Sequence, residues 1–167
     1  MKDFQTIITQ LNEQIYTPND LIVIALQEEP QNAAYGAGTF QIASKTIRFR
    51  VAKQTPKKRG QFVAFWEKDC HNENQAFAYG EAPDLLVITT FKNEHHYGQF
   101  IFPKAVLLKQ NILRTDSHPG KMAMHVYPSW APLPTSKQAN TTQNWQLPYF
   151  VDLCNVTQEK LDSLYKR

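Results

Sequence analysis

The segment YGAGTFQIASKTIRFRVAK, residues 35–53, carries two alternating runs on either side of a short turn at Ala43-Ser44-Lys45. That pattern predicts two antiparallel strands, Tyr35 to Ile42 and Thr46 to Lys53, joined as a hairpin. Alternation sorts the second strand into two faces. Ile47, Phe49 and Val51 point one way, toward a core. Arg48, Arg50 and Ala52 point the other way, toward a predicted polar face. Lys53 falls by parity with the core set, but its place at the strand end lets it swing into the following loop. A polar loop, 54–60, carries Lys57, Lys58 and Arg59, and Gln61 to Glu67 reads as a third strand of the same meander.

Outward from this hairpin, helices are predicted at both ends. Phe4, Ile7, Ile8, Leu11 and Ile15 recur at helical spacing behind Asp3, a good cap. Leu21 to Leu26 is an apolar run that periodicity alone assigns to neither helix nor strand. Asp84 to Phe91 is apolar and β-branched, and predicts a strand that Gln99 to Phe102 pairs back upon. Pro103 suits the first position of a short helix at Lys104 to Lys109. Lys121 to Tyr127 reads as a further strand, Thr135 to Trp145 as a helix, and Thr157 to Tyr165 as a last one. The expected fold is α+β: a single domain over residues 1–167, with a mostly antiparallel mixed sheet packed by the N- and C-terminal helices.

The composition bounds the rest. The net charge is only +3, but it is unevenly placed. Residues 1–44 hold one basic and five acidic residues, whereas 45–68 hold eight basic residues against Glu67 alone. A local excess of this size is an electrostatic footprint for an anionic partner. The longest apolar run is too short to cross a bilayer. The opening MKDFQTIITQLNEQ has no basic region followed by an apolar stretch, so no signal peptide and a cytoplasmic location are expected. Cys70 and Cys154 form no C-x-x-C pair, and nothing requires them to bridge.

If the Lys121 strand shares a sheet with the hairpin, then Arg48, Arg50, Lys121 and His125 line one cationic surface, bordered by Trp66, Tyr127 and Trp130. Cations interleaved with aromatics suit phosphates and stacked bases. The bland alternative has Lys57-Lys58-Arg59 as a solvated loop and the two arginines neutralised by Glu28, Glu29 or Asp84, a structural site.

Four segments resemble the MepB family: Phe49 to Val63 with its KKRG loop, Gly98 to Lys104, Gly120 to Trp130, and Thr142 to Gln146. Their order and spacing match over roughly residues 28–153. The family is named for a small bacterial protein encoded beside a multidrug efflux pump and its repressor. The resemblance implies a fold like that of the restriction-endonuclease group and nucleic-acid binding. It carries to Arg50, Lys53, Lys58, Lys104 and Lys121 as anion contacts, and covers Gln61, Gln99, Tyr127 and Trp130.

Endonuclease chemistry needs two carboxylates and a lysine around a divalent metal. Pro83-Asp84 supplies one acid, but no acid-x-Lys follows it on a strand, and Val51 stands two residues before Lys53. His95-His96 reads as a surface turn whose side chains point apart. No G-x-S-x-G, phosphate-loop or dinucleotide motif occurs. No cofactor and no metal are therefore expected. The leading expectation is non-catalytic DNA binding through the basic hairpin by Arg48, Arg50, Lys53, Lys58, Lys104, Lys121, Tyr127 and Trp130. The alternatives are a metal-dependent nuclease with a degenerate site and a small-anion or protein-binding accessory module.

Overall fold

The computed structural model describes residues 3–56, 59–132 and 134–166. The chain opens with α1 (Phe4–Leu11), β1 (Val23–Glu28), β2 (Gly38–Ile42) and β3 (Lys45–Val51). Then come β4 (Lys53–Gln54), β5 (Gln61–Ala64), β6 (Glu67–Lys68) and β7 (Asn74–Gln75). The long strands β8 (Leu85–Asn93) and β9 (His96–Pro103) follow, with α2 (Lys104–Lys109) and β10 (Ala123–Val126). The remainder is α3 (Lys137–Gln146), β11 (Phe150–Asp152) and α4 (Gln158–Tyr165).

The main sheet has six strands in the order β1-β2-β3-β8-β9-β11. All its pairings are antiparallel except β3 with β8, which is parallel. A parallel pair cannot be joined by a tight turn. The chain between them, 52–84, instead builds most of a second layer. There β5 pairs with β10 on one side and β4 on the other, and β6 pairs with β7. The fold is therefore α+β with a mostly antiparallel mixed sheet, as the patterning predicts.

The expected three-stranded meander does not form. Strands β2 and β3 are a hairpin, turned by Ala43 and Ser44, both at positive φ. The third run, β5, leaves the sheet and covers it. Tyr35 lies in a short 3-10 turn, and β2 starts at Gly38. Leu21 to Leu26 resolves into edge strand β1, where one extra residue between Ile24 and Gln27 bulges at Ala25 (φ 59°).

Each face of the main sheet carries its own core. On one side, α1 and α4 pack Phe4, Ile7, Leu11, Leu161 and Leu164 onto Phe40, Ile47, Phe49, Val87 and Ile101. Asp3 caps α1 by accepting from the Thr6 amide at 2.9 Å, and Thr157 caps α4 by accepting from the Lys160 amide at 3.1 Å. On the other side, Val63, Phe65 and Val126 from the second layer, with Leu107 of α2, meet Leu86, Ile88, Phe100 and Phe102.

One hydrogen-bonded cluster seats both terminal segments. Gln99 on β9 donates from Nε2 to the Tyr16 hydroxyl at 3.0 Å and to Thr89 Oγ1 at 3.1 Å. Its Oε1 accepts from the Tyr165 hydroxyl at 2.6 Å, and the two tyrosine hydroxyls lie 2.8 Å apart. All four side chains are fully buried. Burial pushes the Tyr16 phenol up to about 12 and raises Tyr165 as well.

Both phenols are held neutral in the fold but ionise near pH 10 once unfolded. Their contribution to stability is therefore expected to be flat below pH 10 and to fall between pH 10 and 12, by on the order of 1 kcal/mol per pH unit for each group. Urea unfolding at stepped alkaline pH measures this. Tyr165→Phe should reduce the alkaline slope and, by stranding Gln99 Oε1, lower stability at pH 7 by ~1–3 kcal/mol.

Candidate functional site

Arg48 and Arg50 do project from β3 on the face opposite Ile47 and Phe49. That face is covered by the second layer and is not a solvent surface. Arg50 is 0% exposed. Its Nη1 donates to Glu29 Oε1 at 2.7 Å and to the Phe49 carbonyl at 2.8 Å. Its Nη2 donates to Asn32 Oδ1 at 2.9 Å, and its Nε to the Ala64 carbonyl at 3.2 Å. Burial lowers its pKa, and the Glu29 charge opposes that shift. Arg48 reaches the same carboxylate at 3.3 Å and lies 3.5 Å above the Phe77 ring. Glu29 thus anchors both arginines. Glu28, the exposed last residue of β1, does not join them.

Asp84 is held elsewhere, at the entry to β8. Its carboxylate accepts from the Thr46 amide at 2.9 Å and the Thr46 hydroxyl at 3.1 Å. The Thr46 amide bond is the main reason its pKa is lowered. The remaining predicted residues are dispersed. Lys53 sits 4.6 Å from the Tyr35 ring centroid, and Lys104 sits 5.1 Å from that of Tyr79. Trp130 packs edge-on against His96 and Phe150. Lys58 lies outside the described residues. The hairpin and the Lys121 segment belong to different sheets, so the single surface expected for Arg48, Arg50, Lys121 and His125 is not formed.

Lys121 and Tyr127 do come together, in a cleft of about 960 Å³ between β10 and α3. Arg59, Lys121 and His125 line one wall, and Lys137, Gln138 and Thr142 the other, with Tyr127 and Trp145 among the lining aromatics. No Asp or Glu occurs among its described lining residues. Lys121 and Lys137 are exposed. Ser136 caps α3 by accepting from the Ala139 amide at 3.1 Å, so the positive end of the helix dipole opens at the cleft.

The cleft exists because α3 is tied to an open strand edge. Among the described residues, β10 pairs with β5 on one side only. Gln146, fully buried, takes the place of a strand on the other: Nε2 donates to the His125 carbonyl and Oε1 accepts from the Tyr127 amide, both at 2.9 Å. Gly60 permits the other wall to close. A Cβ there would lie 2.7 Å from the Tyr127 ring. Sequence reading missed Lys137, Gln138 and Trp145 as site residues. The sequence signal for them is the Thr142 to Gln146 motif, which falls on the same helix.

A MepB-like family model matches residues 29–152. A solved structure, described as the crystal structure of MepB, is 35% identical to this chain with a TM-score of 0.78. That likeness covers 93% of this chain and 100% of the other. No curated protein matches.

The two roles separate by mutation. Glu29→Ala strands two guanidinium groups, one fully buried, and should destabilise by ~3–5 kcal/mol in urea unfolding. Lys121→Ala, on the exposed rim of the cleft, should shift stability by no more than about 0.5 kcal/mol.

Proposed function

This chain belongs to the MepB-like family, and we propose that it binds a nucleic-acid strand, without cutting it, in the cleft between β10 and α3. The observation that carries this reading is the composition of the cleft: Arg59, Lys121 and Lys137 around it, with no acidic residue among the described lining. A polyanion entering it meets attraction from each cation and repulsion from none of these side chains. The N-terminus of α3 adds a partial positive charge where phosphates would lie. Tyr127 and His125 lie with rings nearly parallel, their planes 28° apart, and offer an aromatic surface against which a base can rest.

This moves the binding surface from the hairpin arginines to its loop and to the helix opposite. Arg48 and Arg50 act through structure, holding the second layer on which β10 is built. Lys53, Lys104 and Trp130 stand outside this cleft. Cleavage is the weaker reading. Glu29 is engaged by two arginines, Asp84 by Thr46, and neither lines the cleft. A small anion would use the same cations, and dependence on oligonucleotide length distinguishes it from a strand.

Fluorescence anisotropy with labelled single- and double-stranded DNA tests the proposal. Affinity should rise with oligonucleotide length and fall linearly on a log–log salt plot, each neutralised phosphate adding roughly 0.7 to 0.9 to the slope. Joint Lys121→Ala and Lys137→Ala substitution should weaken binding and reduce the slope by about 2. No salt-sensitive binding at low ionic strength would refute it. Length-independent binding, displaced by inorganic phosphate, would assign the cleft to a small anion.

A further inference from the structure

A second cluster of reactive side chains lies at the far end of the β9–β11 ladder. His96 opens β9, Asp152 closes β11, and Cys154 follows in a 3-10 turn over Leu153–Asn155. The register pairs Phe100 with Phe150 and Gly98 with Asp152. The 3-10 turn then brings Cys154 over the start of β9, where its Sγ donates to the His95 carbonyl at 3.3 Å. Gly98 lets β11 approach β9 closely here, since a Cβ there would meet the Phe150 ring at 2.6 Å. The three side chains therefore converge: one ligand-type atom from each lies within 4.8 Å of the others.

We propose that His96, Asp152 and Cys154 form a zinc-class metal site with one coordination position open to solvent. The donor set is one imidazole nitrogen, one carboxylate oxygen and one thiolate sulfur. A thiolate disfavours magnesium and calcium, and this mixture suits Zn²⁺. Three protein ligands leave the fourth tetrahedral position for water or an added ligand. Thiolate and carboxylate together bring two negative charges to balance the ion, and the Cys154 thiol proton leaves to solvent on binding.

The surroundings suit the role. His96 Nε2 lies 2.8 Å from Asp152 Oδ2. A tetrahedral site needs these donors roughly 3.4 Å apart, which a small side-chain rotation supplies. The other oxygen, Oδ1, accepts from the Cys154 amide at 3.0 Å and so fixes the carboxylate. Trp130 lies edge-on to the His96 ring, 5.1 Å between centroids, and limits its tilt. Cys154 is exposed and His96 and Asp152 are partly so, which gives an ion a path in.

Titration of the metal-free full chain with Co²⁺ alone reads the site directly. A saturable sulfur-to-cobalt charge-transfer band at one equivalent, bleached by Zn²⁺, is expected. Cys154→Ser should abolish the band with the far-UV circular dichroism unchanged, since the side chain is exposed. Cys70→Ser should keep it. Asp152→Asn and His96→Ala should each weaken Co²⁺ binding roughly 10-fold or more. No saturable band, a band that follows Cys70, or full affinity in Asp152→Asn would overturn the assignment and leave a hydrogen-bonded cluster without a metal role.

Discussion

The buried guanidinium of Arg50 joins the two layers of this molecule. Arg50 leaves the main sheet from β3 and ends on Glu29, Asn32 and the carbonyl of Ala64 in β5. A charge at 0% exposure is tolerable only when paired and hydrogen-bonded. Its partners must therefore hold their places: Glu29 after the edge strand, Asn32 in a left-handed conformation, and β5 across the sheet. Asn32 Oδ1 also accepts from the Trp66 amide at 3.0 Å, which ties down the chain just past β5. The position of β5 sets that of β10, and β10 sets the wall of the cleft. A charge placed in the interior thus governs a charged surface that it never touches.

The sequence pattern of β3 was legible and its surroundings were not. Alternation separated Ile47, Phe49 and Val51 from Arg48 and Arg50 correctly, because the pleat imposes it whatever lies above. Whether the polar side faced water depended on where residues 61–64 and 123–126 went. That is a matter of long-range pairing, which periodicity does not encode. The same blindness produced the expected meander: three strands in succession look like neighbours, yet the strand beside β3 is β8, nearly forty residues on. Local chemistry fared better. Asp3 caps its helix as predicted, Thr157 at the predicted start of the last helix caps α4, and Asp84 enters its strand with its carboxylate on Thr46. The helix predicted from Thr135 begins instead at Lys137 with Ser136 as its cap, within the usual ambiguity of helix boundaries.

Two buried glutamines tie separate elements together. Gln146 completes the open edge of β10, and Gln99 connects the two terminal tyrosines to the sheet. A third, Gln61, donates to the Phe91 carbonyl at 3.0 Å. Gln61 and Gln99 occupy equivalent places in an internal echo of the sequence, Gly60-Gln61-Phe62-Val63 and Gly98-Gln99-Phe100-Ile101. Both are buried, Gln61 at the start of β5 and Gln99 inside β9, and both reach sideways to other elements. The echo thus marks a shared solution for an amide inside a sheet, not a duplicated unit.

The parallel contact of β3 with β8 also shapes how the chain reaches this structure. The β2–β3 and β8–β9 hairpins close over two-residue turns and have little entropy to lose. The strand pair that unites them cannot form until the whole stretch 52–84 has been looped out, and that stretch carries much of the second layer. Contacts of such sequence separation order late and slow the search. Until they form, each hairpin exposes two apolar faces and unpaired edges, the condition in which β-rich chains associate with one another. The central seam of the sheet, its most protected place once folded, is thus the point at which the unfinished chain is most vulnerable.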